Sequence, residues 1–109
     1  MKGIELKAIE LFNNRFGMNL NSRLGKLNEE VEELNEAIED YNNAKDPNDR
    51  MKKAKHVIEE ISDVQAVLTH LSGLFSVDHE RLLIDAIMKV EIRTFLPEYK
   101  RSGFIIENK

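Results

Sequence analysis

Apolar residues recur at intervals of three and four along most of the chain, which is the spacing of amphipathic α-helices. This spacing predicts helices over residues 3–15, 22–43, 48–75 and 78–95, followed by a tail at 97–109. The second helix has the clearest apolar stripe, formed by Leu24, Leu27, Val31, Leu34, Ile38 and Tyr41. The pattern therefore predicts an all-α fold, a four-helix bundle in which the second and third helices pack against each other.

Capping residues and helix breakers support these limits. Asp46 and Pro47 have the form of an N-cap followed by proline at the first helical position, and Asp78 is predicted to cap the fourth helix. Gly73 is expected to bend or end the third helix, and Pro97 ends any continuation of the fourth. The fourth helix is predicted to bury an apolar face formed by Leu82, Leu83, Ala86, Ile87 and Val90.

The length of 109 residues is typical of one domain, and we expect a single domain over residues 1–109. Hydrophobic residues make up 41% of the chain and charged residues 33%, a balance that suits helices with charged outer faces. The formal net charge of −4 disfavours a general nucleic-acid-binding surface, which would need basic residues concentrated on one side.

The residue types also bear on the cellular location. The chain contains no cysteine, which excludes disulfides and thiolate metal sites and is compatible with a reducing, cytoplasmic location. Residues 1–12 interleave charged with apolar positions, and no apolar run approaches the roughly 18 residues of a membrane span. We therefore expect an unprocessed, cytoplasmic protein with no membrane partner.

The second helix carries an unusual run of acidic residues. Seven acids and no base lie within residues 29–40, at Glu29, Glu30, Glu32, Glu33, Glu36, Glu39 and Asp40. Like charges four residues apart destabilise a helix by a few tenths of a kcal/mol per pair. A bound cation would relieve this repulsion.

Two acid pairs, one in the second helix and one in the third, lie at the edge of apolar stripes. Glu30 and Glu33 interrupt the stripe of the second helix, and Glu60 and Asp63 do the same in the third. Ionised carboxylates at such positions are costly without a compensating charge. The sequence therefore predicts a metal site with these four residues as oxygen ligands, which favour Mg²⁺ or Mn²⁺. The chain contains no Glu-x-x-His, the signature of di-iron bundles.

These residues resemble the all-α nucleoside triphosphate pyrophosphohydrolases, the MazG-like superfamily. Its signature of Glu-Glu-x-x-Glu and, after a loop, Glu-x-x-Asp is similar to Glu29-Glu30-Val31-Glu32-Glu33 and Glu60-Ile61-Ser62-Asp63. The 26 residues between Glu33 and Glu60 suit two antiparallel helices with a short turn. Lys89 and Arg93 also match the Lys-x-x-x-Arg segment of that superfamily, so the resemblance spans about residues 10–95.

The resemblance implies the fold of the all-α NTP pyrophosphatases and hydrolysis of a nucleoside triphosphate to monophosphate and pyrophosphate. It implies that the four carboxylates bind Mg²⁺, with Mn²⁺ as a substitute. It also implies that Glu29 either supports the metal ligands without binding the metal or helps to orient the attacking water. Lys89 and Arg93 would grip phosphate oxygens, although surface charge near a helix C-terminus is the competing interpretation. Lys26, just before the acid run, is a further candidate for binding the triphosphate.

Self-association is expected as well. Apolar residues occur on more than one side of the third helix, including Ile58 and Leu74. Members of the superfamily similarly form homodimers or homotetramers.

Alternatives remain open at this level. Phosphoribosyl-ATP pyrophosphohydrolase shares the fold and the metal motif. An acidic helical interaction module that binds a basic partner is a non-enzymatic alternative, which explains the charge but not the duplicated placement of the acid pairs. Phe12 and Phe16 are candidates either for stacking on a nucleobase or for the core. The three histidines, His56, His70 and His79, fit no ligand spacing and receive no role.

Overall fold

The computed structural model describes residues 3–95, and these form four helices without strands. In chain order they are α1 (Gly3–Phe16), α2 (Leu20–Asn42), α3 (Pro47–Leu74) and α4 (His79–Arg93). The predicted four-helix, all-α fold is confirmed for this part of the chain, whereas Pro97 and the tail at 97–109 lie outside it. Among the described helices, none combines the length and apolar character that crossing a bilayer requires.

Both predicted caps are present. Asp46 precedes Pro47, and its side chain accepts a hydrogen bond from the Asp49 amide at 2.8 Å. The Asp78 side chain accepts from the Arg81 amide at 2.8 Å in the same way. Each carboxylate satisfies an amide that the first turn of a helix leaves unpaired and lies at the positive end of the helix dipole. These residues therefore set where α3 and α4 begin.

The start of α2 differs from the prediction. The helix begins at Leu20 rather than Ser22, because the Asn19 side chain accepts a hydrogen bond from the Ser22 amide at 2.8 Å and acts as the N-cap. Residues 17–19 alone therefore connect α1 to α2.

The helices α2 and α3 form an antiparallel pair with the most extensive contact in the structure, and α1 packs against α3. Gly73 allows α1 to come close, because a Cβ atom there would lie 2.8 Å from Cγ1 of Ile9. α3 ends at Leu74, one residue after Gly73 and close to the predicted end of the helix. Gly73 also serves helix packing, because its missing side chain leaves room for α1.

The predicted burial of α4 is wrong within the single chain. Its apolar side chains are exposed, including Leu82, Leu83, Ala86, Ile87 and Val90. Only the N-terminal part of α4, at Leu82 and Leu83, lines a groove with the end of α3. Among residues 3–95, the buried hydrophobic side chains are Ala37 in α2 and Val67 in α3. Among the described residues 3–95, most of the apolar surface of α4 is therefore left uncovered.

The turn between α3 and α4 is a Schellman motif with an unfavourable residue at its centre. The amide of Val77 donates to the Ser72 carbonyl at 3.0 Å, and the amide of Ser76 donates to the Gly73 carbonyl at 3.1 Å. This geometry requires a left-handed residue after the helix, a position that glycine usually occupies. Ser76 holds it with a φ of 56°.

We expect Ser76→Gly to stabilise the protein. A left-handed backbone costs an L-residue about 1–2 kcal/mol, and glycine removes this cost. Glycine also gives the unfolded chain more conformational freedom, which lowers the free energy of unfolding by about 0.5–1 kcal/mol. The net increase in the free energy of unfolding should be about 0.5–1 kcal/mol, measured by urea denaturation. Ser76→Ala is the control, because it removes the hydroxyl and keeps the strain. An equal gain in both variants would show that backbone strain at Ser76 is not the cause.

Candidate metal centre

The structure brings together the four carboxylates that the sequence singles out. Glu30 and Glu33 come from α2, and Glu60 and Asp63 come from α3. One oxygen from each residue can be chosen so that all four lie within 4.8 Å of one another. The antiparallel packing of the two helices thus turns two separate acid pairs into one cluster.

Two of these carboxylates are buried and incompletely satisfied. Glu30 is only 6% exposed and Glu60 only 8%, whereas Glu33 and Asp63 are exposed. The Oε2 atoms of Glu30 and Glu60 are both inaccessible to solvent and have no hydrogen-bond partner among the described residues. Leaving a buried charged acceptor without a partner is costly. Hard cations such as Mg²⁺ bind carboxylate oxygens, so the donor set and the two unpartnered oxygens fit such an ion.

Basic side chains approach the other oxygen of each buried glutamate. Lys26 Nζ lies 2.9 Å from Glu30 Oε1 and 3.5 Å from Glu29 Oε2. The hydrogen bond and the charge of Glu30 raise the pKa of Lys26, which keeps its ammonium group protonated. On the opposite side, His56 Nε2 lies 3.7 Å from Glu60 Oε1. Both Oε1 atoms thus have a basic neighbour, while the Oε2 atoms remain for a ligand.

Repulsion within the cluster affects Glu33 most clearly. The negative charge of Glu30 raises the pKa of Glu33, and desolvation and the charge of Glu60 add to the effect, while Lys26 opposes it. The ionised form of Glu33 is therefore less stable in the folded protein than in the unfolded chain.

This repulsion predicts a pH-dependent difference between the metal-free wild type and Glu33→Gln. Above the raised pKa of Glu33 the wild type carries the destabilising charge, so the variant should have the higher melting temperature. As the pH falls through that raised pKa towards the ordinary value of 4.5, the wild type takes up a proton and the difference should shrink. Melting curves recorded from about pH 8 to about pH 4 test this. Glu36→Gln, on the exposed surface of α2 and outside the cluster, is the control. A difference that does not change with pH would contradict the repulsion.

A cavity of about 260 Å³ adjoins the carboxylates. Its lining combines charged with aromatic and apolar side chains, namely Phe12, Phe16, Arg23, Lys26, Glu30, Asp63, Ala66, Val67 and His70. The ring centroids of Phe12 and Phe16 lie 5.9 Å and 6.4 Å from that of His70. Both rings thus line a cavity, which is the position that stacking on a nucleobase would require.

His70 has no role in the sequence-based prediction, yet it is the most buried polar residue described, at 1% exposure. Its Nε2 lies 2.9 Å from Asn13 Oδ1. Burial and, second, the charge of Arg23 lower the pKa of His70, so the ring is neutral at neutral pH. A signal was present in the sequence, because His70 follows Asp63 and Val67 in steps of four and three and so shares their face of α3.

The other proposed binding residues occupy different places. Lys26 lies at the cluster, and Glu29 is exposed beside it. Lys89 and Arg93 belong to α4, and neither is among the residues that line the cavity in this chain. Of the three cations predicted to bind phosphate, Lys26 is the one that lines this cavity.

Comparison of the chain with protein-family models, with curated proteins and with solved structures finds no match. The likeness to the MazG-like superfamily therefore rests on the motif residues, and the function must be argued from the site.

Proposed function

We propose that this protein is a magnesium-dependent nucleoside triphosphate pyrophosphohydrolase, which converts NTP or dNTP to the monophosphate and pyrophosphate. The observation that carries the proposal is the pair of buried, unpartnered Oε2 atoms of Glu30 and Glu60 within a four-carboxylate cluster. A cavity of about 260 Å³ beside this cluster provides room for a nucleotide group. The motif resemblance supplies the reaction, in which water attacks a phosphorus atom of the α–β anhydride and the bridging P–O bond breaks, giving monophosphate and pyrophosphate.

The residues of the cluster would divide the work. Glu30, Glu33, Glu60 and Asp63 would hold Mg²⁺, which when bound would neutralise phosphate charge and lower the pKa of the attacking water. Lys26, protonated and 2.9 Å from Glu30, would neutralise charge on the triphosphate. Glu29 is exposed next to Lys26 and would orient the water. No covalent intermediate with the protein is required.

Self-association belongs to the same proposal. The exposed apolar side chains of α4 form a surface that monomeric proteins rarely leave in water. A second copy of the chain would cover it and add to a core in which, among the described residues, Ala37 and Val67 are the buried hydrophobic side chains. A homodimer or homotetramer also provides a route by which Lys89 and Arg93 from one copy reach the carboxylates of another.

The reaction is tested by product analysis. The purified protein is incubated with a panel of NTPs and dNTPs and with phosphoribosyl-ATP, in Mg²⁺ and in EDTA, and the products are separated by ion-exchange chromatography. The proposal expects monophosphate and pyrophosphate in equal amounts, only with Mg²⁺. Release of inorganic phosphate with diphosphate would contradict it. Turnover confined to phosphoribosyl-ATP would narrow the activity to that substrate.

If Lys89 and Arg93 bind phosphate, Lys89→Ala or Arg93→Ala should reduce kcat/KM by about 10-fold, because each removes a charge-assisted hydrogen bond. Helical content, measured by circular dichroism, should not change. Lys55→Ala, on the exposed surface of α3, controls for the loss of one positive charge. Wild-type kinetics in both α4 variants would show that Lys89 and Arg93 do not bind phosphate and are ordinary surface charges.

A further inference from the structure

The cavity beside the carboxylates has two chemically different ends. Arg23 and Lys26 lie one turn apart on α2, and both line the cavity. Lys26 contacts Glu30 at the carboxylate end. Arg23 instead lies over the ring of Phe16, with 5.1 Å between its Cζ and the ring centroid. A nucleotide bound along the cavity would therefore have its phosphates beside Lys26 and its base beside Arg23.

The Arg23 end suits a flat heteroaromatic ring. Phe12, Phe16 and His70 supply aromatic surface there, and Val67 adds an apolar side chain. Phe16 remains 54% exposed, so a ligand has surface to cover. The ring of His70 is only 1% exposed and packs against both phenylalanine rings, so Phe12 and Phe16 carry the surface on which a base can stack. At about 260 Å³ the cavity is smaller than pockets for drug-sized ligands and suits one ring system.

Arg23 adds a polar requirement to this apolar end. Its Nη2 donates to Ser22 Oγ at 3.1 Å, but its Nε is inaccessible to solvent and has no partner among the described residues. Guanidinium nitrogens only donate hydrogen bonds. The Nε atom is as closed to a ligand as it is to solvent, so the donors that Arg23 offers in the cavity are those on its Nη atoms. A ligand group that meets them must be an acceptor, because an amino group there would leave two donors facing each other.

We propose that this end of the cavity binds the nucleobase and that Arg23 selects bases with a carbonyl oxygen over the matching bases with an amino group. The proposal rests on the proposed function for the direction of the nucleotide, and it deepens that function by naming the substrate class. Hypoxanthine against adenine, and uracil against cytosine, are pairs of equal size that exchange a carbonyl for an amino group. A site built to hydrogen-bond one group discriminates strongly against a ligand that lacks it.

The test measures binding of nucleoside monophosphates, which requires no turnover. Isothermal titration calorimetry in Mg²⁺ compares IMP with AMP and UMP with CMP. Wild-type protein should bind the carbonyl member of at least one pair about 10-fold more tightly or better. Arg23→Lys, which keeps the charge and loses the fixed, planar set of guanidinium donors, should reduce that preference to about 3-fold or less. Phe16→Leu should weaken both members of the pair, because it removes stacking surface.

Arg15→Lys, on the exposed end of α1, is the matched control and should keep the wild-type preference. Equal affinities within both pairs, or no binding of any monophosphate, would overturn the proposal. So would an Arg23→Lys variant that loses affinity equally for both members and for pyrophosphate, because Arg23 would then be a phosphate contact. Base-selective binding without hydrolysis of any triphosphate would instead refute the proposed function and leave this inference standing. Hydrolysis without base preference would do the reverse.

Discussion

Glu60→Gln is expected to reduce kcat/KM for magnesium-dependent hydrolysis by about 100-fold or more. Substituting residues that only hydrogen-bond to metal ligands already lowers metal affinity or activity by about 10–100-fold, and Glu60 is a proposed ligand itself. Glu60 is buried, contributes to the four-carboxylate cluster and has one unpartnered oxygen. The amide that replaces it retains an oxygen but loses the negative charge that attracts the cation. The loss should appear in activity measured at saturating Mg²⁺ as well as in metal affinity.

The stability of Glu60→Gln separates a metal site from an ordinary acidic surface. Mg²⁺ should raise the melting temperature of the wild type, because a ligand that binds only the folded state stabilises it. The metal-free variant should retain its stability or gain some, since repulsion is reduced, and its response to Mg²⁺ should be lost. Glu59→Gln is the matched control, because Glu59 is adjacent, exposed and outside the cluster. A wild-type Mg²⁺ response and activity in Glu60→Gln would contradict the assignment.

Ile87→Glu is expected to convert the protein from an oligomer to a monomer and to weaken self-association by about 100-fold or more, because the interface would bury an unpaired charge. Ile87 lies within the apolar surface of α4 and is 58% exposed in the single chain. Analytical ultracentrifugation over a range of protein concentrations measures the change. If the partner copy supplies Lys89 and Arg93, activity should fall with the oligomer.

The control for Ile87→Glu is Lys52→Glu, which changes charge at an exposed position of α3. It should leave the oligomer intact. A wild-type protein that sediments as a monomer at micromolar concentration, or an Ile87→Glu variant that assembles like the wild type, would show that α4 is not the interface.

The helices could be predicted because their signals are local. Apolar spacing and the caps at Asp46 and Asp78 are properties of a few neighbouring residues, and both caps are where the sequence places them. The surroundings of α4 could not be predicted in the same way. Periodicity shows that a helix has an apolar face but not which surface covers it. The apolar pattern therefore predicts that this face is buried in the bundle, whereas it is exposed in the structure of residues 3–95.

The carboxylate cluster was accessible from the sequence because both acid pairs interrupt apolar stripes on helices that pack together. The aromatic end of the cavity was harder to recognise, since it depends on how α1 lies against α3. That packing depends on Gly73 beside Ile9, a contact between residues far apart in the chain. It brings Phe12 and Phe16 next to His70. The position of His70 in the sequence did not match a metal-ligand spacing, and these ring contacts are seen only in the folded structure.

The central claim, that the four carboxylates form a metal site, is tested most directly by a Mn²⁺ titration followed by electron paramagnetic resonance. Free Mn²⁺ gives a sharp signal that diminishes on binding, so the measurement needs neither substrate nor turnover. The wild-type protein is expected to bind Mn²⁺ saturably and to release it to excess Mg²⁺, Glu60→Gln to bind far less, and Glu59→Gln to behave as the wild type. Wild-type protein that leaves the Mn²⁺ signal unchanged, or equal binding by all three proteins, would contradict the claim.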